Sequence, residues 1–166
     1  MDKVICYYAN GDSYVGESKD NKANGQGTYF FENGDKYVGQ FENEKFNGNG
    51  TLYYANGDKY IGQFKDDNFN GKGTFYCADG DIYEGEWKNN LLNGQGTLHF
   101  DDGSKFVGKF KNDKFIGQGT LYYANGDKYV GQIKDEKFHG KGTFYYANGT
   151  ICEGEFENNQ LNKEGN

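Results

Sequence analysis

Apolar and polar residues alternate along this chain in short runs that recur at a fixed interval. In the stretch Gly50–Lys72, the segments Thr51–Tyr54 and Tyr60–Phe64 are rich in aromatic and β-branched residues and are bounded by Gly and Asn. Such runs predict strands. Between them, Ala55-Asn56-Gly57 predicts a tight hairpin turn, with Gly57 supplying left-handed backbone at no steric cost. The link Lys65–Gly71 is polar apart from Phe69, and predicts a loop with one inward-pointing ring. No helical period occurs anywhere, so the expected class is all-β.

Register decides which side chains share a face, because a slip of one residue flips the whole set. A three-residue turn ending at Gly57 pairs Tyr60 with Leu52 and Gly62 with Gly50. A two-residue turn would instead set Tyr60 beside Tyr53 and Thr51. The first register gathers more apolar columns on one face and is preferred. It puts Leu52, Tyr54, Tyr60 and Phe64 together, with glycines beneath the rings. Glycine weakens a strand unless something packs closely on the backbone, and rings lying over it supply that reason. A second ladder, Phe30, Tyr53, Tyr76, His99, Tyr122 and Tyr145, then faces the other way.

The interval is 23 residues, as in Gly16, Gly39, Gly62 and onward to Gly154. Three further columns begin at Gly11, Gly25 and Gly27, and the four together hold all 27 glycines, so none is left for a phosphate-binding loop. Seven copies of one hairpin unit are expected, with a half-repeat at each end of a single array over residues 1–166. Gly50–Lys72 matches Gly119–Lys141 at 18 of 23 positions, which suggests a duplicated three-repeat block, 27–95 and 96–164. Terminal units are degenerate, as capping repeats are. Ser18 and Ala23 replace aromatic residues in the first unit, and Cys152 and Lys163 replace a tyrosine and a glycine in the last.

Composition narrows the partners. Tyr and Phe number 15 and 14 while only 34% of the chain is hydrophobic, which suits a thin structure held by ring packing. The net charge is −7 and all 18 basic residues are lysine. Nucleic acid is excluded as a partner, since it calls for a basic surface and usually Arg. Acidic membrane lipid is disfavoured for the same reason. The segment Met1–Asp12 has no continuous apolar core, so no secretory signal is expected. Cys6, Cys77 and Cys152, odd in number and without CxxC spacing, read as reduced thiols of a cytoplasmic protein.

The run Tyr83-Glu84-Gly85-Glu86-Trp87 followed by Gly94-Gln95-Gly96-Thr97 resembles the MORN-repeat family, and the resemblance extends over nearly the whole chain. It departs in lacking proline in the turns. The resemblance implies a single-layer, elongated, twisted antiparallel sheet of stacked β-hairpins with a groove along one face. It also implies a scaffolding role in cytoskeletal, ciliary or axonemal, or membrane-junction assemblies.

No motif points to catalysis. His99 and His139 lack neighbours at metal-ligand spacing, so no metal, cofactor or enzymatic activity is expected. Acidic turns such as Asp79-Gly80-Asp81 lack the spacing of a calcium loop and read as turn residues. The column Lys65, Lys88, Lys111 and Lys134 reads as a mixed-charge edge offset by Asp66, Asp67, Asp113, Asp135 and Glu136. The aromatic columns carry the candidate site. Tyr37, Tyr60, Tyr83, Phe106 and Tyr129 form one line, and Phe41, Phe64, Trp87, Phe110 and Ile133 another. Both lines hold the sheet together; a single layer also leaves part of such a stripe exposed as a groove for a protein helix or extended segment. The opening strand Val4-Ile5-Cys6-Tyr7-Tyr8 is expected to be an unprotected edge open to strand addition. The opposite end, with Asn158, Asn159, Asn162, Lys163 and Glu164, is polar.

Overall fold

The computed structural model describes residues 2–161. Fifteen strands follow one another with no helix among the described residues. They are β1 Asp2–Tyr7, β2 Ser13–Lys19, β3 Lys22–Phe30, β4 Lys36–Glu42, β5 Lys45–Tyr53, β6 Lys59–Lys65, β7 Asn68–Tyr76, β8 Ile82–Lys88, β9 Leu91–His99, β10 Lys105–Lys111, β11 Lys114–Tyr122, β12 Lys128–Lys134, β13 Lys137–Tyr145, β14 Ile151–Glu157 and β15 Gln160–Leu161. Each bonds to the next in one open antiparallel sheet in chain order. The expectations placed on Asn162, Lys163, Glu164 and Gly165 lie outside the described residues. Two compact units divide the chain: one runs through Asp79 and takes in Trp87–Asn90, and the other holds Gly80–Glu86 and continues from Leu91.

The preferred register is the observed one. Leu52 faces Tyr60 and Gly50 faces Gly62 across β5 and β6. The Gly57 N–H donates to Tyr54 O at 3.0 Å and the Tyr54 N–H to Asp58 O at 2.9 Å, closing a three-residue loop. Gly57 has φ +99°, so the turn ends on the left-handed residue that its sequence predicts.

The second connection differs from expectation. Lys65–Gly71 is not a loop: β7 begins at Asn68, and only Asp66 and Asp67 join it to β6. Both have positive φ, 48° and 71°, the mark of a type I′ turn. Asp and Asn tolerate this conformation better than other non-glycine residues, and an Asp or Asn stands in every such turn, from Asp20-Asn21 to Asn158-Asn159. The strands that follow are long because they absorb two extra residues. Between Gly62/Phe64 on β6 and Phe69/Gly73 on β7 the register shifts, and the Gln63 side chain accepts from the Lys72 N–H at 3.1 Å across the gap.

Candidate functional site

Alternation along the strands sorts the side chains of the first unit sharply. On β2–β7 one face carries only rings, glycine, Leu52, Ala23 and Ser18. The other carries lysine, Val, Ile, Thr, Asn, Gln and an aromatic row.

The ring face covers itself. Tyr37 stacks on Phe46 at 3.8 Å and is met edge-on by Phe41 at 5.1 Å and by Phe64 at 5.0 Å. One repeat later Tyr60 stacks on Phe69 at 3.8 Å and meets Phe64 and Trp87 edge-on at 5.1 and 5.6 Å. Each tyrosine lies over glycine, and its hydroxyl donates to a backbone oxygen, Gln40 O at 2.7 Å and Gln63 O at 3.0 Å. Burial pushes both phenols well above the ordinary value. Trp87 anchors differently, donating from Nε1 to Gly73 O at 2.9 Å. In the first repeat Ala23 stands where Phe46 stands in the second, so Tyr14 keeps only the edge-on contact with Phe41, at 5.0 Å.

The second unit repeats the scheme with substitutions. Tyr129 stacks on Phe138 at 3.7 Å and donates to Gln132 O at 2.9 Å. Phe106, which has no hydroxyl, stacks on Phe115 at 4.3 Å. Gly96 lies beneath the Phe110 ring: a Cβ added there would come within 3.1 Å of that ring and 2.9 Å of Glu84 O.

These contacts correct the expectation that part of the ring stripe stays exposed. Tyr37, Tyr60, Phe110 and Tyr129 are 0% accessible, and Phe41, Phe64, Trp87 and Phe106 are buried as well. Tyr83 alone of the nine is half-buried. The reason is local: rings lying flat on glycine leave room for a second ring on top, so one layer suffices to remove them from water.

Both margins are clasped by carboxylates and amides that sequence reasoning took for ordinary turn residues. At one margin Asp35 Oδ1 accepts from the Ala55 N–H and Asp58 Oδ1 from the Ala78 N–H, at 2.8 and 2.7 Å, each twenty residues on. At the other, Asp67 Oδ1 accepts from the Phe46 N–H at 2.8 Å and Asn90 Oδ1 from the Phe69 N–H at 2.8 Å. The recurrence of Asp or Asn at these two columns was the available signal.

The accessible apolar side chains lie on the lysine face. Across β2–β7 it presents Val15, Phe30, Val38, Tyr53 and Ile61, each about two-fifths exposed. The same face holds Lys19, Lys22, Lys36 and Lys45 on β2–β5 and Lys59, Lys65 and Lys72 on β6 and β7, against Glu17 and Glu42. The remaining carboxylates between β2 and β7 sit in the turns. The net charge of −7 is therefore unevenly spread, and the expected cancellation around Lys65 does not hold on the face itself. Two clefts open here. One of about 570 Å³ is lined by Ile5, Val15, Thr28 and Val38, and one of about 820 Å³ by polar groups including Lys19, Lys22, Gln26 and Gln40.

The opening strand pairs with β2 from Asp2↔Ser18 to Tyr7↔Ser13. Ile5 and Tyr7 point to the lysine face and are 62% and 84% exposed, while Val4 and Cys6 pair opposite Gly16 and Tyr14 on the ring face. Contrary to expectation, Tyr8 lies outside the strand, which ends at Tyr7. Its N–H donates to Asp12 O in the turn at 3.0 Å, and its ring stacks on Tyr29 at 5.9 Å. His99 Nε2 lies 3.3 Å from Glu84 Oε1 in an exposed pair, and among the described residues no three His, Cys, Asp or Glu side chains converge to hold a metal.

Self-covered rings over glycine, alternating three-residue and type I′ turns, and clasps at both margins define a tandem β-hairpin repeat protein. The MORN repeat matches residues 14–36, 37–59, 60–82, 83–105, 106–128 and 129–151, six consecutive units. The chain belongs to the MORN-repeat family. No curated protein sequence matches it. Among solved structures, the SAS-4 (dCPAP) TCP domain of Drosophila melanogaster, in complex with a proline-rich motif of Ana2 (dSTIL), aligns over 98% of this chain and 79% of its own, at 15% identity and a TM-score of 0.54. The G-box domain of the microcephaly protein CPAP aligns over 99% of this chain and 96% of its own, at 12% identity and a TM-score of 0.33. A single-site variant of the Danio rerio CPAP TCP10 domain aligns over 93% and 89%, at 12% identity and a TM-score of 0.32.

Proposed function

We propose that this chain is a non-enzymatic protein-interaction scaffold that docks an extended or helical partner segment within a cytoskeletal or ciliary assembly. The observation that carries this reading is the division of labour between the two faces. The ring face holds the repeats together and buries most of its rings, while the lysine face presents clefts and a band of half-exposed Val, Ile, Phe and Tyr. Exposed apolar bands rimmed by polar groups mark interaction surfaces. Tyr37, Phe41, Tyr60, Phe64, Tyr83, Trp87, Phe106, Phe110 and Tyr129 serve that surface from beneath, as the stiff floor on which the band is displayed. The fold-similar TCP domain, which holds a proline-rich motif, and the MORN family both support an extended protein partner over a small-molecule substrate.

The test is affinity capture from ciliated cells with wild-type chain and with Val38→Glu/Ile61→Glu. The pair should remove a discrete partner while circular dichroism stays that of an intact sheet. Retention of every partner by the folded double variant defeats the assignment to this face.

A further inference from the structure

The accessible aromatic row of the first unit has an alternation that the docking role alone does not require. Across the strands the register sets Phe30 beside Lys36, Lys36 beside Tyr53, Tyr53 beside Lys59 and Lys59 beside Tyr76. Ring and lysine alternate, and each lysine reaches over the next ring. Lys36 Nζ stands 4.7 Å from the Tyr53 ring centre and Lys59 Nζ 4.9 Å from that of Tyr76. Rings held under a cation keep a fixed orientation, so the row is a pre-set ladder of flat apolar faces and positive charges.

We propose that this row binds an acidic, proline-spaced segment in the polyproline II conformation, laid across the strands; the proposal rests on the docking role above. Successive lysines are two strands apart, roughly 9.4–9.8 Å at the usual strand spacing. A polyproline II helix returns to the same side every three residues, about 9.3 Å along its axis. An acidic side chain at every third position therefore meets Lys36 and then Lys59, and the intervening prolines rest on Tyr53 and Tyr76. The alternatives fit worse. A β-strand turns every third side chain to the opposite face. An α-helix rises roughly 10.5 Å over the seven residues that bring a side chain back to one side.

Charge selects a thin acidic partner. The face carries seven lysines against two glutamates on β2–β7, inside a chain of net charge −7. Asp20, Asn43-Glu44 and Asp66-Asp67 frame it at one margin, and Glu32, Asp35 and Asp58 at the other. A narrow positive strip between acidic margins accommodates a single extended chain. A broad anionic bilayer would meet the margins as well and be repelled by them.

The experiment uses the full chain and a fluorescently labelled peptide of repeated Glu-Pro-Pro triplets, read by anisotropy. Saturable binding is expected, weakening as salt is raised. Lys36→Gln/Lys59→Gln should weaken it about five-fold, the sum of two exposed ion pairs. Tyr53→Ala should weaken it further. Reversal of the same sites, Lys36→Glu/Lys59→Glu, should transfer preference to a Lys-Pro-Pro peptide, which a merely misfolded variant could not do. Three results overturn the proposal. Gln-Pro-Pro could bind as tightly, which removes the charge argument. A Glu-Gly-Ser peptide of equal charge density could bind as tightly, which removes the period. Phosphatidylserine vesicles could bind through Lys36 and Lys59 while the peptide does not, which assigns the face to a membrane. If the peptide fails but partner capture still depends on Val38 and Ile61, the docking role stands and only this chemistry falls.

Discussion

Glycine under the rings is the feature on which the whole sheet depends, and Gly62→Ala tests it directly. Its backbone is not in the left-handed region, so any cost comes from crowding. A Cβ there would lie 2.5 Å from Gly73 Cα, 2.6 Å from Lys72 O and 2.8 Å from Tyr60 Oη. Carbon atoms in contact prefer about 3.5–4.0 Å, so the overlap is on the order of 1 Å. Two of the three obstacles are backbone of β7 and cannot rotate away. Parting the strands is an overpacking cost of about 1–3 kcal/mol. Lifting Tyr60 instead forfeits its hydrogen bond to Gln63 O, about 1 kcal/mol, and its stacking on Phe69, about 0.5–1.5 kcal/mol. Either route leads to a loss centred on about 2 kcal/mol, a large part of a domain's stability of roughly 5–15 kcal/mol. Gly149→Ala is the control. Nothing lies within 4 Å of its Cβ, and its φ of +94° alone should cost about 1–2 kcal/mol. Urea denaturation followed by circular dichroism and by the single tryptophan reads both, and Trp87 sits 5.6 Å from Tyr60, close enough to report locally. A double-mutant cycle sharpens the contrast. At Gly73 the nearest atoms to an added Cβ all belong to the Tyr60 side chain, so Tyr60→Ala should absorb most of the clash of Gly73→Ala. At Gly62 it should not, because the backbone contacts remain. Should Gly62→Ala prove no more harmful than Gly149→Ala, ring-over-glycine packing is not what holds the repeats.

Other expectations follow from the margins and the phenols. Asp67→Asn should be nearly neutral, since an amide Oδ1 accepts equally well, as Asn90 shows, whereas Asp67→Ala should cost about 1–3 kcal/mol by stranding the Phe46 N–H; urea midpoints distinguish them. Tyr60→Phe should cost about 1 kcal/mol, the hydroxyl bond alone, with the sheet retained as Phe106 retains it in the second unit. Burial pushes the Tyr14 phenol up to about 12 and raises those of Tyr37 and Tyr60 above their ordinary 10.0. The folded state thus holds protons that the unfolded chain releases, so stability is full below pH 10 and falls as pH rises from 10 toward 12. Phenolate absorbance should rise together with loss of sheet signal over that window, and ionisation of every tyrosine near pH 10 with the sheet intact would refute the burial.

The hairpin, its register and the family were legible in the amino acids alone, because each rests on short-range chemistry. Ala55-Asn56-Gly57 leaves two turn lengths open, and the gathering of apolar columns on one face favours the three-residue turn that the structure adopts. The second turn was not legible: Asp66 and Asp67 adopt positive φ without glycine, and the strand beyond them is extended by a bulge bridged by Gln63, a contact made only across strands. Nor could sequence settle which rings meet water. Tyr60 and Tyr53 are the same residue type in the same unit, yet one is sealed between Gly73 and Phe69 while the other stands under the Lys36 ammonium on the open face. Charge illustrates the same limit. Summed along the chain, Lys65 is cancelled by Asp66 and Asp67, but pleating sends the lysine to the face and the turn holds the carboxylates at the margin. What a strand presents depends on parity, and parity acquires meaning only when the tertiary packing closes one face and leaves the other to solvent.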